Sequence, residues 1–165
     1  MNSMEIVYLK AYERYKKEGK GKRRSFFGPP IGLSEAEIIQ LEETMNNGIP
    51  FPKAYREYLS IGGAFSSLSL NDSGNNAGKL AAKYKQALQM RKVDISRPIA
   101  IMDTFEGQCG TFIYLDNGDN PQPWLFSIHE DYDSDEGKIL WPSPFKTLQD
   151  MIEQLVYTSE NDLSI

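Results

Sequence analysis

The single cysteine and the single histidine, Cys109 and His129, are the residue types from which a nucleophile and its base are built, and two strands could bring them together. Acyl-transfer chemistry also needs a third group to orient the base and donors to hold an oxyanion, and no motif in the chain supplies either. A small cysteine packed beside a strand and a histidine at a strand end account for both residues without chemistry, so no catalytic residue is assigned. One cysteine forms neither an internal disulfide nor a multi-cysteine zinc site, which agrees with a reducing compartment. Asp131, Asp133 and Asp135 stand at the first, third and fifth positions of a calcium loop. The pattern then fails, because Glu136 replaces the glycine of the turn and Pro142 replaces the bidentate glutamate. No metal and no other cofactor is expected.

The same carboxylates suit a different task. Glu130, Asp131, Asp133, Asp135 and Glu136 form one short acidic loop, with Tyr132 inside it and Trp141 closely following. Carboxylates crowded together stay solvated and attract cations, and an aromatic anchor beside them is the composition of a hot spot for a basic protein. Trp124 and Trp141 also suit core positions in a sheet and at a strand-to-helix junction. Asp116 and Asp119, between two expected strands, are read as an extension of the acidic surface.

The net charge of −5 conceals opposite signs at the two ends. Up to Arg24 the cations Lys10, Arg14, Lys16, Lys17, Lys20, Lys22, Arg23 and Arg24 outnumber Glu5, Glu13 and Glu18; after Ile101 only Lys138 and Lys146 oppose the carboxylates from Asp103 to Asp162. An acidic surface repels nucleic acid and attracts basic proteins. The basic run Lys20 to Arg24 has no glycine-rich phosphate motif beside it and is read as a solvated linker.

The elements that must position these residues are well punctuated. Met4 to Lys17 is an expected helix with Tyr12 and Tyr15 among its apolar contacts, and Ser25 to Ile31 an extended apolar segment. Ser34 and Glu37 form a capping box, with Leu33 and Ile38 as its staple, and open a helix whose stripe is Ile38, Leu41 and Met45, Glu42 lying off it or at its margin. Gly48 ends that helix, and Pro52 is the expected first residue of a second one that buries Tyr55, Tyr58 and Leu59 and stops at Gly62 and Gly63 with φ > 0 freedom. Ala64 to Leu70 is a possible short strand, and Lys79 to Lys92 an amphipathic helix that covers one side of the sheet. Ile99–Met102, Thr111–Leu115, Pro123–Ile128 and a strand around Lys138–Leu140 give a meander. Ser143 is the expected cap of a last helix from Pro144 to Tyr157.

These elements give an α+β fold: an antiparallel or mixed sheet of about four to six strands packed with an N-terminal helical hairpin and a C-terminal helix. One domain over residues 1–165 is expected, residues 1–24 being an N-terminal helix with a basic linker. The start lacks the apolar core of a signal peptide and no stretch approaches a membrane span, so a cytoplasmic protein is expected.

The order of the motifs resembles the SUKH superfamily, which includes immunity-type and scaffold domains related to a fungal cell-wall assembly regulator. Leu33, Ser34, Glu37 and Ile38 match its helix start, and Pro52, Tyr55, Tyr58, Leu59, Gly62 and Gly63 its second helix. Gly110, Phe112, Asp116, Trp124, His129, Ser143, Phe145 and Leu148 match its later strands, acidic turn and closing helix. The resemblance spans residues 31–157, with the Lys79–Lys92 helix as an addition. It implies a non-enzymatic protein-binding domain, foremost a bacterial immunity protein that neutralises a cognate toxin, such as a nuclease. An intracellular adaptor of the same fold is the alternative, and an enzyme using Cys109 and His129 a remote one. The partner-binding residues so read are Glu130, Asp131, Tyr132, Asp133, Asp135, Glu136, Trp141, Asp116 and Asp119.

Overall fold

The computed structural model describes residues 4–70, 76–128 and 139–163. Six helices, α1 (Lys10–Glu18), α2 (Lys22–Phe27), α3 (Glu35–Asn46), α4 (Lys53–Gly62), α5 (Ala77–Met90) and α6 (Leu148–Glu160), accompany strands β1 (Ile99–Phe105), β2 (Cys109–Tyr114), β3 (Trp124–Ser127) and β4 (Leu140–Pro142) among these residues. The strands form one antiparallel sheet in the order β1-β2-β3-β4, so the expected α+β class and meander hold.

Successive strand residues point to opposite faces, and the two faces bury different partners. Ile99, Ile101, Phe112, Tyr114 and Phe126 pack with Tyr84 and Leu88 of α5, which covers that face as expected. Ala100, Met102, Ile113 and Leu115 join Leu9, Tyr12, Ile38, Tyr55, Leu59 and Ile152 from α1, α3, α4, α6 and the segment before α1.

The hairpin α3–α4 is held as its sequence requires at the start. Ser34 Oγ accepts from the Glu37 N–H at 3.2 Å and Glu37 Oε1 accepts from the Ser34 N–H at 3.0 Å. Leu33, Ile38, Tyr55, Tyr58 and Leu59 are buried, but Leu41 is only half-buried at the edge of the core. Ile38→Ala is therefore expected to cost about 2–5 kcal/mol and Leu41→Ala markedly less; equal shifts in the urea midpoint would refute this ordering. Glu42, expected at the margin, is buried instead: it accepts from the Phe51 N–H at 2.6 Å and from Arg56 Nε at 2.8 Å, and Arg56 also reaches Glu35. The Glu42 carboxylate, chiefly by hydrogen bonding, holds the Arg56 guanidinium above its ordinary pKa. This ion pair ties the α3–α4 turn to the body of α4.

Several boundaries differ from the sequence reading, each for a local reason. Asn47 (φ 53°) shares with Gly48 (φ 77°) the left-handed conformation that ends α3. Pro52 is the cap before α4 rather than its first residue. Gly63 is right-handed at φ −65°; the glycine pair is required by close approach, since a Cβ on Gly62 would meet the Tyr12 hydroxyl and one on Gly63 the Leu59 carbonyl and Leu33. The first helix begins at Lys10, not Met4, because Glu57 accepts the N–H groups of Val7, Tyr8 and Leu9 and so draws that backbone away from helical pairing. Ala64 to Leu70 is no strand and contributes only a bridge from Phe65 to Ile31. The last helix begins at Leu148 under a Thr147 cap. Ser143 instead accepts from the Phe145 N–H in a local turn whose carbonyls are held by Gln122.

The basic run is structural rather than a solvated linker, and Ser25–Phe27 belong to α2 rather than to an extended segment, which is left to the residues up to the bridge at Ile31. Arg24 donates to the Tyr15 and Lys16 carbonyls at the end of α1. The Lys20 N–H reaches Glu160 and the Lys22 N–H reaches Asp162. Between them Gly21, at φ +106°, lies where a Cβ would meet the Ser159 carbonyl, so α2 is pinned to the end of α6.

Candidate protein-binding surface

Of the residues read as partner-binding, Glu130, Asp131, Tyr132, Asp133, Asp135 and Glu136 lie outside the described residues, as does His129. The chain leaves the sheet toward them at Ile128, whose N–H donates to the Gln108 carbonyl at 2.7 Å, and returns at Ile139, whose carbonyl accepts from the Ser127 N–H at 2.9 Å. Both anchors stand at the end of the sheet occupied by the β1–β2 turn.

Asp116 and Asp119 occupy the opposite end, because hairpin loops alternate between the ends of a meander. The structure therefore does not place them beside the two anchors of the acidic segment. Arg97 binds Asp116 with two nitrogens, at 3.0 and 2.7 Å, while its guanidinium lies 3.8 Å from the centroid of the Tyr114 ring. The Asp119 carbonyl accepts from the Ala54 N–H at 2.9 Å and so satisfies the start of α4, which has no side-chain cap. The residues that do share the end of the anchors are Cys109 and the exposed Glu106. Their placement was not readable until the loop order of the meander was fixed.

The two tryptophans differ in their surroundings. Trp124 faces the α5 side, edge-on to Tyr114 at 5.8 Å, and packs against that core cluster. Trp141 points to the other face. It stands opposite Leu125, which stands opposite Thr111, which stands opposite Asp103, so one row crosses all four strands. Leu125 and Trp141 are half-buried and belong to neither core cluster among the described residues. At the other end of the row Asp103 and Thr111 line a cavity of about 540 Å³ together with Phe145, Met151 and Leu155. Sequence parity alone puts Asp103 on the face of Ile99 and Ile101. A register shift between Ile101 and Asp103 turns it to the opposite one, and no residue in the sequence announces that bulge.

Cys109 opens β2 with its Sγ 3.8 Å from the Phe105 carbonyl. Burial, and then the Glu106 and Asp103 carboxylates, push its thiol up from the ordinary range, which is the opposite of the activation a nucleophilic cysteine needs. Among the described residues no group of His, Cys, Asp and Glu side chains is arranged to hold a metal ion, and no helix is long and apolar enough to cross a membrane.

Two surface pairs give the fold an acid sensitivity. A hydrogen bond from Arg97 lowers the pKa of Asp116, and one from Arg14 lowers that of Glu160. A depressed folded-state pKa contributes stability above the unfolded value, about 4, and that contribution is lost as pH falls through the lower folded value. Urea midpoints are expected to decline from about pH 5 downward, modestly because solvent screens both pairs. Arg97→Gln should remove part of that decline; an unchanged pH profile in this variant would count against the assignment.

Residues 32–150 match the model of the SMI1 / KNR4 family (SUKH-1), and the chain belongs to that family. No curated protein and no solved structure gives a match.

Proposed function

We propose that this SUKH-1 family member is a non-enzymatic protein-binding domain of the immunity type, which binds and neutralises a basic partner, foremost a toxin such as a nuclease. The observation that carries the reading is the half-buried cross-strand pair of Leu125 on β3 and Trp141 on the edge strand β4, which belong to neither core cluster among the described residues. An aromatic and an aliphatic side chain outside both core clusters, on the two strands joined in sequence by the segment that carries Glu130, Asp131, Asp133, Asp135 and Glu136, offer an apolar anchor within an acidic field. Basic grooves that neutralise nucleic-acid phosphates are complementary to such a field. The raised Cys109 thiol gives no support to an enzymatic reading.

Co-expression with the products of adjacent reading frames is the test. A toxic neighbour whose growth defect is relieved by this chain, and which co-purifies with it, supports the proposal. Relief that persists in the Trp141→Ala, Leu125→Ala double variant would place the interface elsewhere. Co-purification with no toxic partner would favour an adaptor of the same fold.

A further inference from the structure

We propose that the cavity between α2, α5 and the β1–β2 turn is a binding site for a phosphorylated small molecule of mononucleotide size. The cavity measures about 600 Å³, within the range of small-molecule sites. Arg23 of α2 and Lys79 and Lys83 of α5 line it, and no carboxylate does among the described residues. In a chain of net charge −5, three cations converging on one concavity without a counter-charge is a local reversal of sign.

Each cation is poorly compensated. Arg23 Nε is buried and has no hydrogen-bond partner among the described residues, which costs free energy; the part of the guanidinium that lines the cavity is what a ligand can reach. The guanidinium carbon lies 5.4 Å from the centroid of the Phe27 ring. Lys79 and Lys83 are four residues apart on one helix face, where like charges repel, and neither forms an ion pair among the described residues. Lys83 Nζ lies 5.2 Å from the centroid of the Tyr84 ring. Asp103 shares the adjoining cavity with Arg23 but does not line this one, so Lys79 and Lys83 keep their field.

The start of α5 adds to that field. Asn76 lines the cavity and precedes the 14-residue α5, its side chain making no cap, so the positive end of the helix dipole lies near the cavity wall. A phosphate group meets all of these donors, Arg by its planar fork and Lys as a point charge. The remaining wall, with Phe65, Leu80 and Tyr84, is apolar and partly aromatic. Inorganic phosphate would leave it uncovered, whereas a planar base would bury it.

The test is calorimetric titration and thermal unfolding of the full chain with the four nucleoside 5′-monophosphates, inorganic phosphate and adenosine. At least one monophosphate is expected to bind and raise the melting temperature, with inorganic phosphate weaker and adenosine weaker still. The Lys79→Gln, Lys83→Gln double variant, altered only at exposed residues, is expected to keep its fold and lose about tenfold in affinity, the loss of one charge-assisted contact or more. Added salt should weaken binding to the wild type more than to the variant. No heat and no melting shift with any monophosphate at several millimolar would overturn the proposal. Equal binding by the double variant would overturn it, as would adenosine matching its monophosphate. Binding of a glutamate-rich peptide in place of the nucleotides would also overturn it and assign the cavity to acidic side chains.

Discussion

Replacing Glu57 by alanine is expected to cost about 3–5 kcal/mol of folding stability, because it removes a buried carboxylate that accepts from three backbone N–H groups, each such charge-assisted bond being worth about 1.5–3 kcal/mol. The Glu57 side chain has no exposed surface, and its two oxygens accept from the N–H groups of Val7, Tyr8 and Leu9 at 3.1, 2.9 and 2.9 Å. Lys53, one turn earlier on α4, lies 3.6 Å away. Alanine would leave Lys53 without this partner, and the buried Leu9 donor without an acceptor. It would also release the segment that seats Leu9 and Tyr12, both fully buried, against α4. The melting temperature should fall by about 10 °C, with amide exchange at Val7, Tyr8 and Leu9 accelerated more than at β2. Glu57→Gln, which keeps one acceptor oxygen but not the charge, should lose about half as much. A wild-type midpoint in Glu57→Ala would show that the N-terminal segment contributes little to the fold.

That result bears on what the sequence could disclose. Glu57 sits among Tyr55, Tyr58 and Leu59, and a helical stripe reads it as a solvated residue beside a buried face. It is buried because a segment about fifty positions away needs acceptors, a demand no window of local sequence contains. Glu42 was missed for the same reason, since its partners are the Phe51 amide and Arg56 across the turn. The capping box, by contrast, is a contact between residues three apart, and it was readable in full. The continuous apolar run Ile99 to Met102 marked a buried strand, but nothing in it announced the bulge that reverses the parity at Asp103. The basic run misled in a further way. Its charge suggested solvent, yet its position is fixed by the Lys20 and Lys22 amides, the close approach at Gly21 and the Arg24 guanidinium on the end of α1.

The residues of the proposed surface were chosen on composition, which carries no geometry. Trp141 was picked out as an aromatic near carboxylates, and it stands outside both cores. Leu125 and Thr111 were unremarkable until the register aligned them with it. Asp116 and Asp119 were grouped with the acidic loop by their nearness in sequence, while the meander sends successive loops to opposite ends.

The second large effect follows from this last separation and rests on the proposed function. Neutralising Glu130, Asp131, Asp133, Asp135 and Glu136 as Gln and Asn is expected to slow association with the basic partner several-fold at low salt and to flatten its salt dependence, because encounter is steered by the field of that segment. Folding should be nearly untouched. Asp119→Asn, which keeps the backbone carbonyl that Ala54 uses, should leave the rate almost unchanged at physiological salt. The four residues of β3 separate the two ends by about 13 Å, beyond a screening length of about 8 Å. Trp141→Ala acts on the other rate. A desolvated aromatic anchor is worth about 2 kcal/mol or more, so dissociation should accelerate about thirtyfold while association stays near wild type. Association and dissociation measured by surface plasmon resonance across a salt series separate these effects. If the five-fold neutralised chain bound with the wild-type rate at every ionic strength, the segment would be ordinary solvated surface. If Trp141→Ala dissociated no faster, the face of β4 that carries Trp141 would not be the contact.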